Sequence, residues 1–340
     1  MCLFEYIIIM RIVRIILAVI IVFSCVFTAF IGKNKIAEGV ELEEIPQYKG
    51  IITFWQIDTF EGGVSSRRQF LLKAASMYEK NNDGVLIMVT NHTLEGAENS
   101  LKNGKYPDII SFGAGLEFSG ASTILTDKKF AGGMIGDKTY FVPWCRGGYT
   151  LISNPSLTEE VKPSKIDKLL VSSATYTQPL IALSLENIIA SDIEVKPPMD
   201  AYIKFVAGKT PYFLATQRDI HRLNNRGMEY NAVPLNNFCD LYQYASVITT
   251  DQVKNYYAND FINFLLSERV QKKLSDIGMF SCFDQVEYTD ETLFNMQKLN
   301  GFLTISAFTQ KNKLLELQEL SMLSAKGDLG ALNKIKNILI

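Results

Sequence analysis

The residues best suited to chemistry follow the first apolar run of the folded part of the chain. Asp58 and Glu61 come just after the run 51–55, and two glycines follow them. The run reads as a strand and residues 67–80 read as a helix, so the two acids lie in a strand-to-helix loop. Parallel sheets bind ligands at such loops, and glycine lets the backbone approach a ligand closely. We predict that Asp58 and Glu61 bind ligand hydroxyls or a cation; the alternative is a solvated turn with two ordinary acids.

The two tryptophans of the chain also precede loops at predicted strand ends. Trp55 ends the first run, and Trp144 and Arg146 stand just after the run 139–143. An aromatic ring can stack on the apolar side of a sugar or on a cation, and arginine can pair with a carboxylate or two hydroxyls. We expect Trp55, Trp144 and Arg146 to face one ligand site. The alternatives are core packing for either tryptophan and a surface position for the arginine.

Four further residues complete the predicted ligand site. Gly113 follows a short apolar run and opens the next ligand loop, although it lacks the neighbours of a phosphate-binding motif. Arg218 starts a predicted helix just after the strand 211–215. Tyr242 and Tyr244 alternate with a glutamine on an extended run, so their rings share one face. That face belongs either to the ligand site or to the core.

The composition and the reactive residues exclude several other functions. With 47% apolar and 21% charged residues, the chain is an ordinary globular protein. A net charge of −2, without a stripe of Lys or Arg, argues against nucleic acid as a partner. His92 and His221 lie far apart, and nothing marks a third residue that would orient Cys145 and His221 as a thiol hydrolase. We therefore predict no metal, no cofactor and no enzymatic activity. The five cysteines show no disulfide framework.

Residues 51–113 indicate the fold that positions these side chains. They read as strand 51–55, helix, strand 85–89, helix and strand 107–112, which makes two βαβ units in succession. Such units form a parallel sheet, whose ligand loops lie at the carboxyl ends of its strands. A chain of 340 residues suits two lobes with a short appendage rather than one small core.

The N-terminus reads as an export or anchoring segment. Two arginines precede the apolar run 15–31, whose length lies between a secretory core and a spanning helix of about 20 residues. Cys25 follows a loose lipobox and is the candidate for lipidation. We favour an uncleaved anchor in residues 1–32 over a lipidated Cys25, and a lipidated Cys25 over a cleaved signal. All three place the folded chain outside the cytoplasm, with the acidic residues 33–46 as a tether.

Several segments together resemble the extracellular, family 1-like solute-binding proteins of bacterial ABC importers, the group that includes maltose-binding protein. The segments are the strand 51–55, Gly104–Ser111 with its G-x-x-P-D-I pattern, the run Val142-Pro143, the Phe-rich stretch 260–267, Gln271, and Ile277-Gly278. The resemblance implies an α/β, two-lobed, periplasmic-binding-protein-like (type II) fold with a hinge and an inter-lobe ligand cleft.

Each lobe is expected to combine separate segments of the chain. Lobe one is predicted to contain residues 47–142 and 247–299, and lobe two residues 143–246 and 300–340. The resemblance implies a monomeric receptor on the extracellular face of the cell membrane. It would bind a small solute, with carbohydrate as the first candidate and a polyamine as another, and deliver it to permease subunits. The alternatives from other classes are an extracellular glycan-acting enzyme and a tethered ligand sensor without transport.

Overall fold

The structure, a computed structural model, describes residues 16, 17, 20, 22, 48–298 and 303–340. Most of the predicted anchor, including Cys25, and the predicted tether lie outside the described residues. Within the described part of the chain, no helix combines the length and the apolar character needed to cross a bilayer. Residues Tyr48–Ile340 form one compact unit of the chain.

Strands and helices alternate along this unit. The strands are β1 (Gly50–Ile57), β2 (Val85–His92), β3 (Ile109–Phe112), β4 (Met134–Ile135), β5 (Lys138–Thr139), β6 (Val142–Arg146), β7 (Tyr149–Ser153), β8 (Lys165–Ser172), β9 (Ile189–Lys196), β10 (Tyr212–Thr216), β11 (Asn231–Leu235) and β12 (Tyr242–Val247). The helices are α1 (Arg67–Glu79), α2 (Leu94–Lys102), α3 (Pro179–Leu185), α4 (Pro198–Val206), α5 (Gln217–Asn225), α6 (Gln252–Leu265), α7 (Glu268–Gln271), α8 (Glu291–Met296), α9 (Lys311–Ala325) and α10 (Leu329–Lys336), with 3-10 turns at Ala131–Gly133 and Lys272–Ile277. The order β1, α1, β2, α2, β3 is that of two βαβ units.

The first sheet has the strand order β2-β1-β3-β12-β6. Strand β1 runs parallel to β2 and β3, while β12 runs antiparallel to β3 and β6. Helix α1 packs on β2, and helix α6 packs on β1, β12 and α1. Alternate residues of β1 explain this packing: Ile52 and Phe54 are buried, and the Phe54 ring meets the Phe261 ring of α6 at 5.9 Å. The period-2 burial is that of a strand whose inner face lies against a helix layer.

The second sheet has the strand order β11-β7-β10-β8-β9. Strand β8 runs parallel to β9 and β10, and β7 runs antiparallel to β10 and β11. Helices α3 and α4 pack on this sheet, and α9 packs on α3 and β9. Parallel strand pairs need long crossover connections, which α3 and α4 provide. The second sheet, like the first, is therefore built from strands that alternate with helices.

The chain passes between the two sheets at two short connections. It leaves the first sheet after Arg146 and enters the second at Tyr149, and it returns between Leu235 and Tyr242. The predicted lobe boundaries, after residues 142 and 246, fall at the first residue of β6 and near the end of β12. Every residue of β6, β7 and β12 is buried. We call β6, β7 and β12 the crossing strands, because the chain changes sheets at their ends.

Candidate ligand-binding cleft

An open cavity of about 730 Å³ lies where the two sheets face each other. Its walls are the loop 58–61 after β1, the loop 173–175 after β8, residues 195–199 between β9 and α4, and Gln318 of α9. Three of these four segments follow the carboxyl ends of parallel strands, which is where sheets of this kind bind ligands. The cavity is therefore the candidate ligand cleft.

Asp58 is held in place at the cleft by two buried side chains. Its Oδ1 forms an ion pair with Arg67 Nη2 at 2.7 Å and accepts a hydrogen bond from Gln56 Nε2 at 3.0 Å. Arg67 begins α1, is almost fully buried, and also donates to the carbonyl of Phe60 at 2.6 Å. The Asp58 side chain itself is 46% exposed. Because both bonds use Oδ1, the second carboxylate oxygen is left for a ligand.

Glu61 forms an ion pair with Arg222 of α5. Arg222 Nη1 donates to Glu61 Oε2 at 2.9 Å, and Nη2 donates to Oε1. The same guanidinium donates to Asp219 Oδ1 at 3.1 Å. Asp219 is fully buried, and this burial raises the pKa of its carboxyl to about 6. Glu61 is therefore bound to a cation of helix α5 rather than free for a ligand.

Two buried hydroxyl groups at the cleft have no hydrogen-bond partner among the described residues. They are Thr59 Oγ1 and Ser172 Oγ. Thr59 lines the main cavity, and Ser172 lines a small adjacent pocket of about 10 Å³ together with Phe60 and Tyr149. A buried hydroxyl without a partner carries a desolvation cost that a ligand atom or a water can relieve. These two hydroxyls are therefore candidate ligand contacts.

The charged side chains that line the cavity are all paired. Asp58 pairs with Arg67, Glu61 with Arg222, and Lys196 with Glu194 at 3.3 Å. No group of three or more His, Cys, Asp or Glu side chains suited to a metal ion occurs in the described part of the chain. The walls therefore present hydrogen-bonding groups with little net charge.

The comparisons with known proteins agree on the architecture. No family model matches the chain, and no curated protein matches its sequence. Among solved structures, a cyclic α-maltosyl-1,6-maltose binding protein from Arthrobacter globiformis is similar with a TM-score of 0.58, at 13% identity over 86% of this chain and 98% of that one. The sugar-binding protein MalE from Xanthomonas citri is similar with a TM-score of 0.56, at 12% identity over 85% and 96%. Iron-bound HitA from Pseudomonas aeruginosa is similar with a TM-score of 0.52, at 11% identity over 80% and 99%.

This chain has the two-lobed fold of the periplasmic binding proteins. The predicted α/β fold class is thereby confirmed. We call the first sheet with α1, α2 and α6 the first lobe, and the second sheet with α3, α4, α5 and α9 the second lobe. Proteins of this fold whose names state a sugar or iron have the same architecture, so the fold alone does not decide the ligand.

Trp144 and Arg146 belong to the interior of the two-lobed fold and do not line its cleft. Trp144 has no exposed surface; its ring stacks on Phe70 at 5.6 Å and its Nε1 donates to Ser111 Oγ at 2.9 Å. Arg146 is 2% exposed and donates to the carbonyls of Gly147 and Gln297. Both side chains lie on β6, which is buried along its whole length, so the structure places the tryptophan in the core and the arginine neither in the cleft nor on the surface.

Tyr242 and Tyr244 share one face, as their alternation predicts, and that face is core. The Tyr242 ring lies 4.8 Å from Phe130 and the Tyr244 ring 5.7 Å from Phe112. Both tyrosines are at most 3% exposed, and burial raises the pKa of each phenol well above its ordinary value. Cys145, on β6, is also fully buried, and burial raises the pKa of its thiol. It lacks the exposure that a nucleophile needs.

Three other predicted residues do not line the cavity. Trp55 is half-buried, and its ring lies 4.2 Å from the His92 ring at a tilt of 31°. A Cβ on Gly113 would lie 2.0 Å from Thr59 Oγ1, so this glycine makes room for the Thr59 hydroxyl. Arg218, at the start of α5, makes no ion pair with a described residue, and burial lowers its pKa.

The sequence analysis missed the second-lobe wall and the arginines that hold the acids. The missed residues are Arg67, Ser172, Ser173, Thr175, residues 195–199, Arg222 and Gln318. The strands β8 and β9 were not predicted, so the loops that follow them were not recognised as ligand loops; the Pro197-Pro198 step was the one signal of a strand end. Gln318 lies in the middle of a helix, where no local pattern marks it.

Proposed function

We propose that this chain is a membrane-tethered, extracellular solute receptor of an ABC importer. It binds a small solute in the inter-lobe cleft and delivers it to permease subunits. The observation that carries the proposal is the cavity of about 730 Å³ between loops of both lobes, which is within the size range of small-molecule sites. Hinge closure of two lobes around a solute buries the solute and changes the outer surface, which a permease can recognise.

Cleft chemistry favours a neutral, hydroxyl-rich solute, with carbohydrate as the leading class. Asp58 and Glu61 are both bound by arginines, which disfavours a polyamine that would need unpaired carboxylates. The unpartnered hydroxyls of Thr59 and Ser172 can donate to or accept from sugar hydroxyls. The apolar side chains of Pro197, Pro198 and Met199 line the same wall. They can contact the apolar side of a sugar ring in place of an aromatic side chain.

Asp58 is the proposed main acceptor for a ligand hydroxyl, and Arg67 is its positioning residue. The buried guanidinium fixes one carboxylate oxygen at 2.7 Å and leaves the other for the solute. A carboxylate held in this way loses little conformational freedom when a ligand binds, and hydrogen bonds to a charged acceptor are the stronger ones. Thr59 from the first lobe and Ser172 from the second would complete the contacts from both sides.

A thermal-shift screen of the full chain against sugars, polyols, polyamines, amino acids and peptides tests the proposal. A solute at a hundred times its dissociation constant adds about 2.7 kcal/mol of stability, which raises Tm by several degrees. We expect a sugar or polyol to produce this shift. If no small solute shifts Tm, the receptor proposal is wrong, and if a sugar is consumed during the assay, the protein is an enzyme.

Two variants locate the solute in the cleft. Asp58→Asn should reduce the affinity for the solute by about tenfold or more, because an amide accepts a hydroxyl less strongly than a carboxylate. Asp192→Asn is the matched control, since Asp192 is an exposed carboxylate of β9 outside the cavity. Equal affinities for both variants would place the solute elsewhere.

A further inference from the structure

Glu61 and Arg222 form an ion pair that joins the two lobes. Glu61 belongs to the loop after β1 of the first lobe, and Arg222 to α5 of the second lobe. Two parallel N–H···O bonds join them, one of 2.9 Å. The arginine side chain is 10% exposed and the glutamate side chain 29%. A bidentate, partly buried pair of this kind is stronger than an exposed ion pair.

The second lobe holds Arg222 ready for this contact. Asp219, one turn earlier on α5, accepts from the guanidinium at 3.1 Å, and its own Oδ2 accepts from the backbone N–H of Thr216 at 3.1 Å. The Arg222 guanidinium also lies 5.2 Å from the centre of the Tyr202 ring. All of these partners belong to the second lobe. The arginine is therefore oriented before Glu61 reaches it, which lowers the entropy lost when the pair forms.

A second ion pair between the lobes differs in its surroundings. Lys311, the first residue of α9, pairs with Glu98 of α2. Just before it, the backbone N–H of Ala307 donates to the carbonyl of Gly132 at 2.7 Å. Lys311 thus follows a segment of the chain that is hydrogen-bonded on the first-lobe side. The Glu98–Lys311 pair therefore has little freedom to separate, whereas Glu61 lies on the loop after β1 and Arg222 on helix α5.

We propose that Glu61 and Arg222 form a latch that holds the two lobes closed before any solute is bound. The inference rests on the proposed function only in taking the two lobes to open and close. Glu61 borders both the main cavity and the small adjacent pocket, so breaking the pair would open the space around the Ser172 hydroxyl. The pair acts on closure and not on the solute, which makes both residues positioning residues for solute affinity.

Arg218 determines how the latch must be tested. It lies one turn before Arg222 on the same helix, near Glu61, and makes no ion pair with a described residue. When Arg222 is removed, Arg218 is the cation that can capture Glu61 in its place. The decisive cation variant is therefore Arg218→Gln with Arg222→Gln, and the decisive anion variant is Glu61→Gln alone.

Double electron–electron resonance distances on the full chain, without any solute, measure the latch directly. Spin labels on keto amino acids at the exposed positions Ser65 of the first lobe and Ile203 of the second lie outside the cleft and leave the cysteines unchanged. Wild type should show one short distance. Glu61→Gln and the double arginine variant should shift the closed-to-open ratio by about tenfold towards a longer distance.

Two variants serve as controls, and two results would refute the latch. Arg226→Gln removes an exposed arginine of the same region that lies 5.4 Å from the same Tyr202 ring and makes no ion pair with a described residue. It should keep the short distance, as should Glu98→Gln. The latch is refuted if wild type already shows the long distance, or if folded Glu61→Gln keeps the short one. If an arginine variant does not fold, Glu61→Asp decides, since its shorter arm should give an intermediate ratio. A failed solute screen would overturn the receptor proposal but leave these distances unaffected.

Discussion

The loop after β1 and the crossing strands both contain residues that the sequence assigned to the ligand site, but the two regions have opposite roles. The loop places Asp58, Thr59 and Glu61 at the wall of the cleft, where the Asp58 carboxylate is oriented and partly exposed. The crossing strands place Trp144 and Tyr242 in the interior, where aromatic neighbours surround them. Asp58 and Trp144 both follow apolar runs in the sequence. The difference teaches that a strand end faces a ligand only where no later segment of the chain packs over it.

Packing from distant segments explains why the crossing strands are covered. The backbone of Arg146 exchanges both hydrogen bonds with Phe280, and Gln271 donates to the carbonyl of Trp144 at 3.0 Å. These partners arrive more than one hundred residues later in the chain. In the loop after β1, Asp58 meets Arg67 only nine residues later in the chain, while Glu61 is bound by the distant Arg222. These contacts leave the Asp58 side chain 46% exposed, whereas long-range packing buries the crossing strands.

Of these variants, Trp144→Ala should lower the free energy of unfolding the most. A small loss would contradict the difference drawn between the crossing strands and the loop after β1. Loss of the ring leaves a cavity beside Phe70 and removes one of the two hydrogen bonds to the Ser111 hydroxyl, so the free energy of unfolding should fall by about 3–5 kcal/mol. Trp55→Ala is the control, because its half-buried ring should cost clearly less. Denaturant unfolding measures both. A Trp144→Ala protein with wild-type stability and weakened solute binding would return Trp144 to the ligand site.

The buried carboxyl of Asp240 should make stability depend on pH. Asp240 lies just before β12, and burial raises its pKa from an ordinary value of 3.8 to about 6. The folded state therefore keeps the proton that the unfolded state loses, and the free energy of unfolding should fall as pH rises from about 4 to about 6, on the order of 3 kcal/mol. Above pH 6 this contribution should be constant.

The Asp240→Asn variant isolates this contribution. Subtracting its free energy of unfolding from that of wild type removes the other titrating groups, and the difference should decrease between pH 4 and pH 6. A difference that increases over this window would mean that the folded protein favours the ionised carboxylate. That result would contradict burial as the dominant influence on Asp240.

Tyr149→Phe and Tyr242→Phe compare two buried hydroxyls of the crossing strands. The Tyr149 hydroxyl donates to Asp240 Oδ1 at 2.7 Å, whereas the Tyr242 hydroxyl has no partner among the described residues. Removing the first should cost about 1–3 kcal/mol, because it leaves a buried acceptor, and removing the second should cost close to nothing or stabilise the protein. Urea unfolding measures both. Equal losses would show that the Tyr242 hydroxyl has a hydrogen bond after all.

Asp58→Asn should have only a small effect on stability, in contrast to Trp144→Ala. The Asp58 side chain is 46% exposed, so its ion pair with Arg67 is screened by solvent. We expect a loss below about 1 kcal/mol, even though the same change should weaken solute binding. A large loss of stability, measured by thermal unfolding, would show that the loop after β1 is a structural element and not a ligand loop.

Local periodicity was enough to predict the first part of the fold and the edge of the sheet at which the candidate cleft lies. Apolar runs and helical spacing between residues 51 and 113 define β1, α1, β2, α2 and β3 within a few residues. Parallel connection then requires that the loop holding Asp58 lie at a carboxyl end. These inferences need only neighbours along the chain, which is why the sequence alone supports them.

Tertiary structure alone decided which predicted residues face the cleft and what each is bonded to. Glu61 and Arg222 are 161 positions apart, and no local pattern marks an arginine on α5 as the partner of a loop after β1. Likewise, the face shared by Tyr242 and Tyr244 follows from their alternation, but its burial depends on Phe112 and Phe130 arriving from elsewhere. A period reports which side chains share a face; only the packing of distant segments determines whether that face meets solvent, ligand or core.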